Sequence, residues 1–115
     1  MVDVDKTQER FLNCLSALSN RERLSAFKLL VQMGSQGMAA GDICRELGVK
    51  GNTMSSHLKI LLHSELVFRR REGRTLRYFA NMHEMGALMR YLYENCCAGM
   101  PARRSNEADY TNFLK

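Results

Sequence analysis

No stretch of this 115-residue sequence is apolar for long enough to cross a bilayer: the longest runs, in KLLV and KILL, fall far short of the roughly twenty residues a span needs. It has no phosphate-cradling glycine loop, no Gly-x-Ser-x-Gly and no His-Glu-x-x-His. A Cys-His hydrolase would need nucleophile and base brought together in a cleft, which a short helical chain rarely supplies. Enzyme chemistry is therefore not expected. The opening MVDVDKTQER is polar and carries acids, unlike a signal or transit peptide, so the expected location is the cytoplasm. There, the four cysteines read as free thiols rather than as a disulfide framework. Internal repeats and low-complexity segments are also missing. What remains is a chain that is 45% hydrophobic, with length for one domain and one modest core.

Charge is plentiful, but its excess is local. Residues 1–44 carry five basic and five acidic side chains, and residues 78–115 carry four of each. Residues 45–77 carry eight basic and three acidic ones, so the net charge of +5 resides in the middle third. A localised basic block is the electrostatic footprint of a polyanion partner.

Apolar spacing organises the chain. Phe11, Leu12, Leu15 and Leu18 form a helical stripe between Gln8 and Leu18, with Cys14 beside it. Ser19-Asn20 offers N-cap chemistry for a second helix, whose Leu24, Phe27, Leu30 and Val31 share a face and which Gly34 stops. A short helix over Ala40–Leu47 ends at Gly48. Asn52 or Thr53 can cap the next, TMSSHLKILLHSE, with Met54, Leu58, Leu61 and Leu62 facing inward. LVFRRRE and LRYFAN, on either side of a Glu-Gly-Arg turn, predict a β-hairpin. A final helix runs from about His83 to Cys97 with Met85, Leu88, Met89, Leu92 and Tyr93 apolar, until Gly99 and the lone Pro101 break it. A short helix, a glycine turn and a second helix make a helix-turn-helix, and the charged hairpin behind it is a wing. The expected fold is a mostly α winged helix-turn-helix in the order ααααββα, spanning residues 1–98, with a flexible tail over 99–115.

In such a unit the second helix of the pair enters the major groove, its N-terminal residues against base edges. Those positions hold Asn52, Thr53, Ser55, Ser56, His57 and Lys59, with Lys50 just before them. Hydroxyls and amides can approach bases and phosphates closely, while Lys50 and Lys59 supply charge. Asn52 and Thr53 could equally serve as caps, and His57 could be a satisfied surface histidine. The wing carries Arg69, Arg70, Arg71, Arg74 and Arg77. Strand alternation sends Arg69 and Arg71 to one face and Arg70 to the other, with Arg74 at the turn best placed to reach DNA.

The segments LSNRERLSAFKLL, GDICRELGV and MSSHLKILLHSELVFRRREGRTLRYFAN resemble the ArsR/SmtB family of bacterial metalloregulatory repressors over about residues 8–97, most specifically from Ser55 to Tyr78. The resemblance implies a homodimer, joined through the first and last helices, that represses transcription by binding operator double-stranded DNA and releases it when a metal or metalloid binds. The family's Cys-x-Cys-x-x-Cys arsenic site falls on Ala39, Gly41 and Cys44, so one ligand of three is present. Its interfacial zinc site falls on Asn81, His83, Glu94 and Cys97, with two good zinc ligands among them.

ENCC, at the end of the last helix, resembles the arsenic-responsive subgroup whose sensing cysteines lie there, although the third cysteine common in that subgroup is missing from the tail. Trivalent arsenic and antimony prefer thiolates. Adjacent residues on an intact helix do not face each other. Cys96 and Cys97 could hold one atom only where the helix frays, and Gly99 and Pro101 place them there. The resemblance thus implies no permanently bound cofactor, and an arsenic(III) or antimony(III) species as inducer on Cys96 and Cys97. Cys14 either completes a three-thiolate site or packs in the core. Two alternatives stay open: a thiol-redox or persulfide-responsive repressor of the same fold, and a ligand-independent DNA-binding module. A bridge between Cys96 and Cys97 would close a strained ring.

Overall fold

The computed structural model describes residues 2–97, and side chains from residue 6 to residue 95. The tail expected from residue 99 lies outside them. The first helix, α1 (Val2–Leu18), buries Phe11, Cys14 and Ala17. These recur every third residue, so one narrow seam meets the core. Leu12 and Leu15, expected in the same stripe, are instead 47% and 39% exposed. The apolar pattern of α1 is wider than the neighbouring surface it packs on.

Helix α2 (Arg21–Met33) starts where Asn20, in extended backbone, accepts the Glu22 and Arg23 N–H groups on Oδ1 at 2.9 and 3.0 Å. A side-chain acceptor there satisfies donors that no helical carbonyl can reach. The helix buries Ala26, Phe27 and Leu30, and ends at Gly34, whose φ is +57°. Leu24 and Val31, at the edges of the apolar face they share with Phe27 and Leu30, are exposed.

A 3₁₀ turn (Gly34–Gln36) leads to a two-residue strand, β1 (Met38–Ala39), which periodicity could not show. Helix α3 (Ala40–Leu47) buries Ile43 and is closed by Gly48 in the left-handed conformation, its N–H on the Cys44 carbonyl. Helix α4 (Gly51–His63) follows α3 after three residues, 48–50. Its N-cap residue is Lys50, with no side-chain capping bond, so Asn52 and Thr53 do not cap it as expected; both lie inside the first turn. Met54, Leu58 and Leu61 are fully buried, and Leu62 is only partly so. Burying each such side chain contributes about 2 kcal/mol.

The hairpin pairs β2 (Val67–Glu72) with β3 (Thr75–Ala80) about Gly73-Arg74, and β1 adds to the other edge of β3, giving an antiparallel order β1-β3-β2. Asn81 then caps α5 (Met82–Leu92) by accepting the Glu84 N–H on Oδ1 at 3.2 Å. The chain continues as a π-helical turn, Tyr93–Cys97. The final helix thus starts one residue before His83 and widens at its end rather than running regularly to Cys97.

Leu30, Ile43, Met54, Leu58, Leu61, Leu66, Val67 and Leu88 form one core shared by all five helices and the hairpin, with Phe11 stacked on Tyr91 at 4.7 Å. This core fixes α3, α4 and the wing relative to one another. The architecture is the winged helix-turn-helix expected from the sequence, with a third short strand.

Candidate nucleic-acid interface

Because the core holds α4 by Met54, Leu58 and Leu61, the opposite face is turned outward. A residue every three or four positions recurs on one helical face. Asn52, Ser56 and Lys59 therefore share the outward face, Ser55 flanks it, and all four are exposed. Lys50 and Thr53 are exposed at the start of the helix. Asn52 Oδ1 accepts the Thr53 N–H at 2.9 Å, and Ser56 Oγ donates to the Asn52 carbonyl at 3.3 Å. Both side chains rest on their own helix and can rotate to another partner. His63, which the sequence did not single out, lies one turn beyond Lys59 on the same face and is exposed.

His57 is placed differently. Its side chain is only 12% exposed, and both ring nitrogens are engaged by α2. Arg23 Nη1 lies 3.3 Å from Nδ1, and Glu22 Oε1 lies 2.8 Å from Nε2. Of the candidate reading residues it is the one held inward. Glu22 and Arg23 were not visible as site residues in the sequence, because only the fold brings α2 against α4.

In the wing, directly opposed residues of an antiparallel pair share a face. Arg69 lies opposite Tyr78 and Arg71 opposite Leu76, on the face where Val67 and Tyr78 are buried. Phe68, Arg70, Arg77 and Phe79 share the other face. The expected alternation of the arginines is thus observed. Arg70 and Arg77 stand opposite each other, and their repulsion is relieved by separate partners. The Arg70 guanidinium lies over the Phe79 ring, 4.5 Å from its centroid. Arg77 pairs with Glu72 at 3.1 Å and donates to the Gln36 carbonyl at 3.1 Å. Arg69 is 3.5 Å from the Tyr78 hydroxyl. Among the described residues, Arg71 and Arg74 make no ion pair, and both are exposed.

The expected sensing residues fall in two places. Cys96 and Cys97 close the π-helical turn Tyr93–Cys97, and their side chains lie outside the described residues. Cys14 is fully buried, its Sγ 3.5 Å from the Ser64 carbonyl and 3.9 Å from Glu84 Oε2. Burial, reinforced by the Glu84 carboxylate, pushes its pKa up to about 11. A thiol that stays protonated and donates inward is a poor ligand for a soft ion. Of the two roles expected for Cys14, this placement fits packing in the core better than service as a third thiolate. Cys44 is half-buried and packs against the core as a small apolar side chain. Among the described residues, no group of three or more His, Cys, Asp or Glu side chains is placed to hold a metal ion, and no helix is long and apolar enough to cross a membrane.

Comparison with known proteins agrees with this geometry. Residues 18–70 match a family described as a helix-turn-helix domain. The solved structure of an ArsR-like transcriptional regulator from Rhodococcus sp. RHA1 is 23% identical, covering 95% of this chain and 90% of that one with a TM-score of 0.69. The homodimeric winged helix-turn-helix DNA-binding domain of Mb0332 from Mycobacterium bovis is also 23% identical, covering 87% of this chain and 93% of that one, TM-score 0.65. The transcriptional repressor BigR from Xylella fastidiosa is 27% identical, covering 87% of this chain and 97% of that one, TM-score 0.60. No curated protein matches the chain. Helix-turn-helix, wing and matched relatives give one answer for the fold: this chain is a winged helix-turn-helix protein.

Proposed function

We propose that the protein is a DNA-binding transcriptional repressor of the ArsR type that acts as a homodimer. One observation carries this reading: the exposed polar face of α4 and the exposed wing residues Arg71 and Arg74, without an ion pair among the described residues, are carried by elements that share one core, and residues 45–77 hold the chain's whole positive excess. Asn52, Thr53, Ser55 and Ser56 would face base edges and phosphates in a major groove. Lys50, Lys59, Arg71 and Arg74 would neutralise phosphates. Two copies would present their α4 helices to successive major grooves, about 34 Å apart. The relatives described as a homodimeric winged helix-turn-helix domain and as a repressor support dimerisation and repression.

The inducer in this reading is a trivalent arsenical (arsenite or methylarsenite) or antimonite, held by Cys96 and Cys97. Two points favour a site of these two thiolates. Cys14 is buried, and burial pushes its pKa up to about 11. The cysteine pair lies in a π-helical turn, a local widening often found at functional sites. Trivalent arsenic and antimony are soft centres that accept thiolate ligands. It can change operator affinity only by binding one dimer geometry better than another.

The test is fluorescence anisotropy of a labelled duplex that the reduced wild-type protein has selected from a random-sequence pool. Arsenite, methylarsenite and antimonite are titrated into complexes of the wild type, Cys14→Ser and the Cys96→Ser/Cys97→Ser double variant. Release in the wild type and Cys14→Ser, and none in the double variant, is the expected result. Release by peroxide or persulfide alone, reversed by dithiothreitol, would assign the pair to redox sensing instead.

A further inference from the structure

The contact between α2 and α4 has a polarity that the ring chemistry fixes. Arginine can only donate, so the Nδ1 of His57, 3.3 Å from Arg23 Nη1, is the acceptor. The neutral ring then carries its proton on Nε2 and donates it to Glu22 Oε1 at 2.8 Å. Arg23 is itself fixed, because its Nε donates to the Ala17 carbonyl at 2.7 Å in the last turn of α1. Asn20 holds the backbone of both Glu22 and Arg23 through its capping bonds. The end of α1, the first turn of α2 and the middle of α4 are thus joined in one hydrogen-bonded chain, in which Arg23 donates to both Ala17 and His57 and His57 donates to Glu22.

We propose that Glu22 and Arg23 are positioning residues for DNA binding, and that His57 is the clasp through which they fix α4 rather than a reader of bases. The inference rests on the DNA-binding reading above. His57 lies on the inner flank of α4, with Met54, Leu58 and Leu61 on the core side and Asn52, Ser56 and Lys59 on the other. Both ring nitrogens are taken, so the ring has no free polar atom for a base edge. What it can transmit is the angle of α4 about its own axis, and hence the aim of Asn52 and Ser56. A shift of about 1 Å in such a helix is enough to spoil hydrogen bonds whose useful range is about 2.7–3.2 Å.

Electrostatics and positioning give opposite signs for Glu22. Removing an acidic side chain beside a DNA-facing helix should tighten binding if charge alone acts. Breaking the clasp should weaken it, by about threefold to tenfold for one net hydrogen bond.

The experiment compares wild type, Glu22→Ala, Glu22→Gln, His57→Ala and Glu22→Ala/His57→Ala on the pool-selected duplex and on a scrambled duplex, across a salt series. The expected result is a weakened selected complex for Glu22→Ala and His57→Ala and no further weakening in the double variant. Glu22→Gln, which still accepts from Nε2–H, should restore binding. All salt slopes should stay unchanged, because none of these substitutions removes a cation that neutralises a phosphate. Long-range ¹⁵N–¹H spectra of the free wild type should show His57 with its proton on Nε2, a readout that needs no DNA. Tighter binding by Glu22→Ala, additive weakening in the double variant, or a proton on Nδ1 would overturn the clasp. Failure of the wild type to prefer any selected duplex would instead overturn the DNA-binding reading.

Discussion

Arg10 of α1 grips the carboxylate of Glu84 of α5 at two points, Nε on Oε2 at 2.8 Å and Nη2 on Oε1 at 2.6 Å. Glu84 is 4% exposed, while the Arg10 side chain is about half exposed and lies against Phe11, its guanidinium 4.6 Å from the ring centroid. A buried carboxylate needs such a partner, and a two-point pair to arginine is the strongest that side chains offer. The contact pins the first helix to the last.

Arg10→Ala should therefore cost about 1–3 kcal/mol, because it leaves the Glu84 carboxylate buried and unpaired. The hydrogen bonds from Arg10 hold the Glu84 pKa below the ordinary carboxylate value. A lowered folded pKa gives stability that is fully present above the unfolded value, about 4.3, and is lost as pH falls through the folded one. Urea unfolding of wild type and Glu84→Gln should thus differ most near neutral pH and converge below about pH 4. A constant difference from pH 7 to pH 3 would contradict the pairing.

Cys14 should be chemically silent in the folded protein. With its pKa pushed to about 11 and its surface fully buried, iodoacetamide at pH 8 should modify it only when the chain unfolds. Mass spectrometry with and without urea separates the two cases. The raised pKa also has a stability sign: its contribution is intact below the unfolded thiol value, about 8.5, and declines as pH rises toward the folded value. Cys14→Ala should flatten that alkaline decline.

Gly37 precedes β1 with φ +61° and ψ −166°, a region nearly closed to other residues. A Cβ there would meet Phe79 Cε2 at 2.5 Å and the Tyr78 carbonyl oxygen at 2.6 Å. Gly37→Ala combines backbone strain with a clash against main chain that cannot yield, and should destabilise the protein by about 2–4 kcal/mol in urea unfolding. Gly73→Ala, which has positive φ but open space, should cost less.

These contacts also show where sequence reading stops. The Ala40–Leu47 helix was fully legible, because Gly48 ends it and the apolar spacing is helical. The wing followed from two β-prone runs about Glu-Gly-Arg. Strand β1 was not legible, since two residues become a strand only by pairing with Tyr78 and Arg77 of β3. The exposure of Leu12, Leu15, Leu24 and Val31 was not legible, because periodicity finds an apolar face but not how much of it another element covers. The outward set on α4 was legible from the fold class. The inward turn of His57 was not, because Glu22 and Arg23 lie more than thirty residues away and reach it only through the packing of α2 on α4. Cys96 and Cys97 stood out by residue type, by position at the helix end and by resemblance to the arsenic-responsive subgroup.

The wing is where the DNA-binding reading is decided. Arg71 and Arg74 are exposed and without an ion pair among the described residues, whereas Arg70 lies on Phe79. The measurement is the salt dependence of duplex binding for wild type, Arg70→Ala, Arg71→Ala and Arg74→Ala, on the pool-selected and the scrambled duplex. Removing a side chain that neutralises one phosphate should lower the magnitude of the log–log slope by about 1. That drop is expected for Arg71→Ala and Arg74→Ala, and a near wild-type slope for Arg70→Ala, with the wild type preferring the selected duplex. A wild type that binds both duplexes alike, with slopes that none of the three substitutions changes, would contradict DNA binding through this wing.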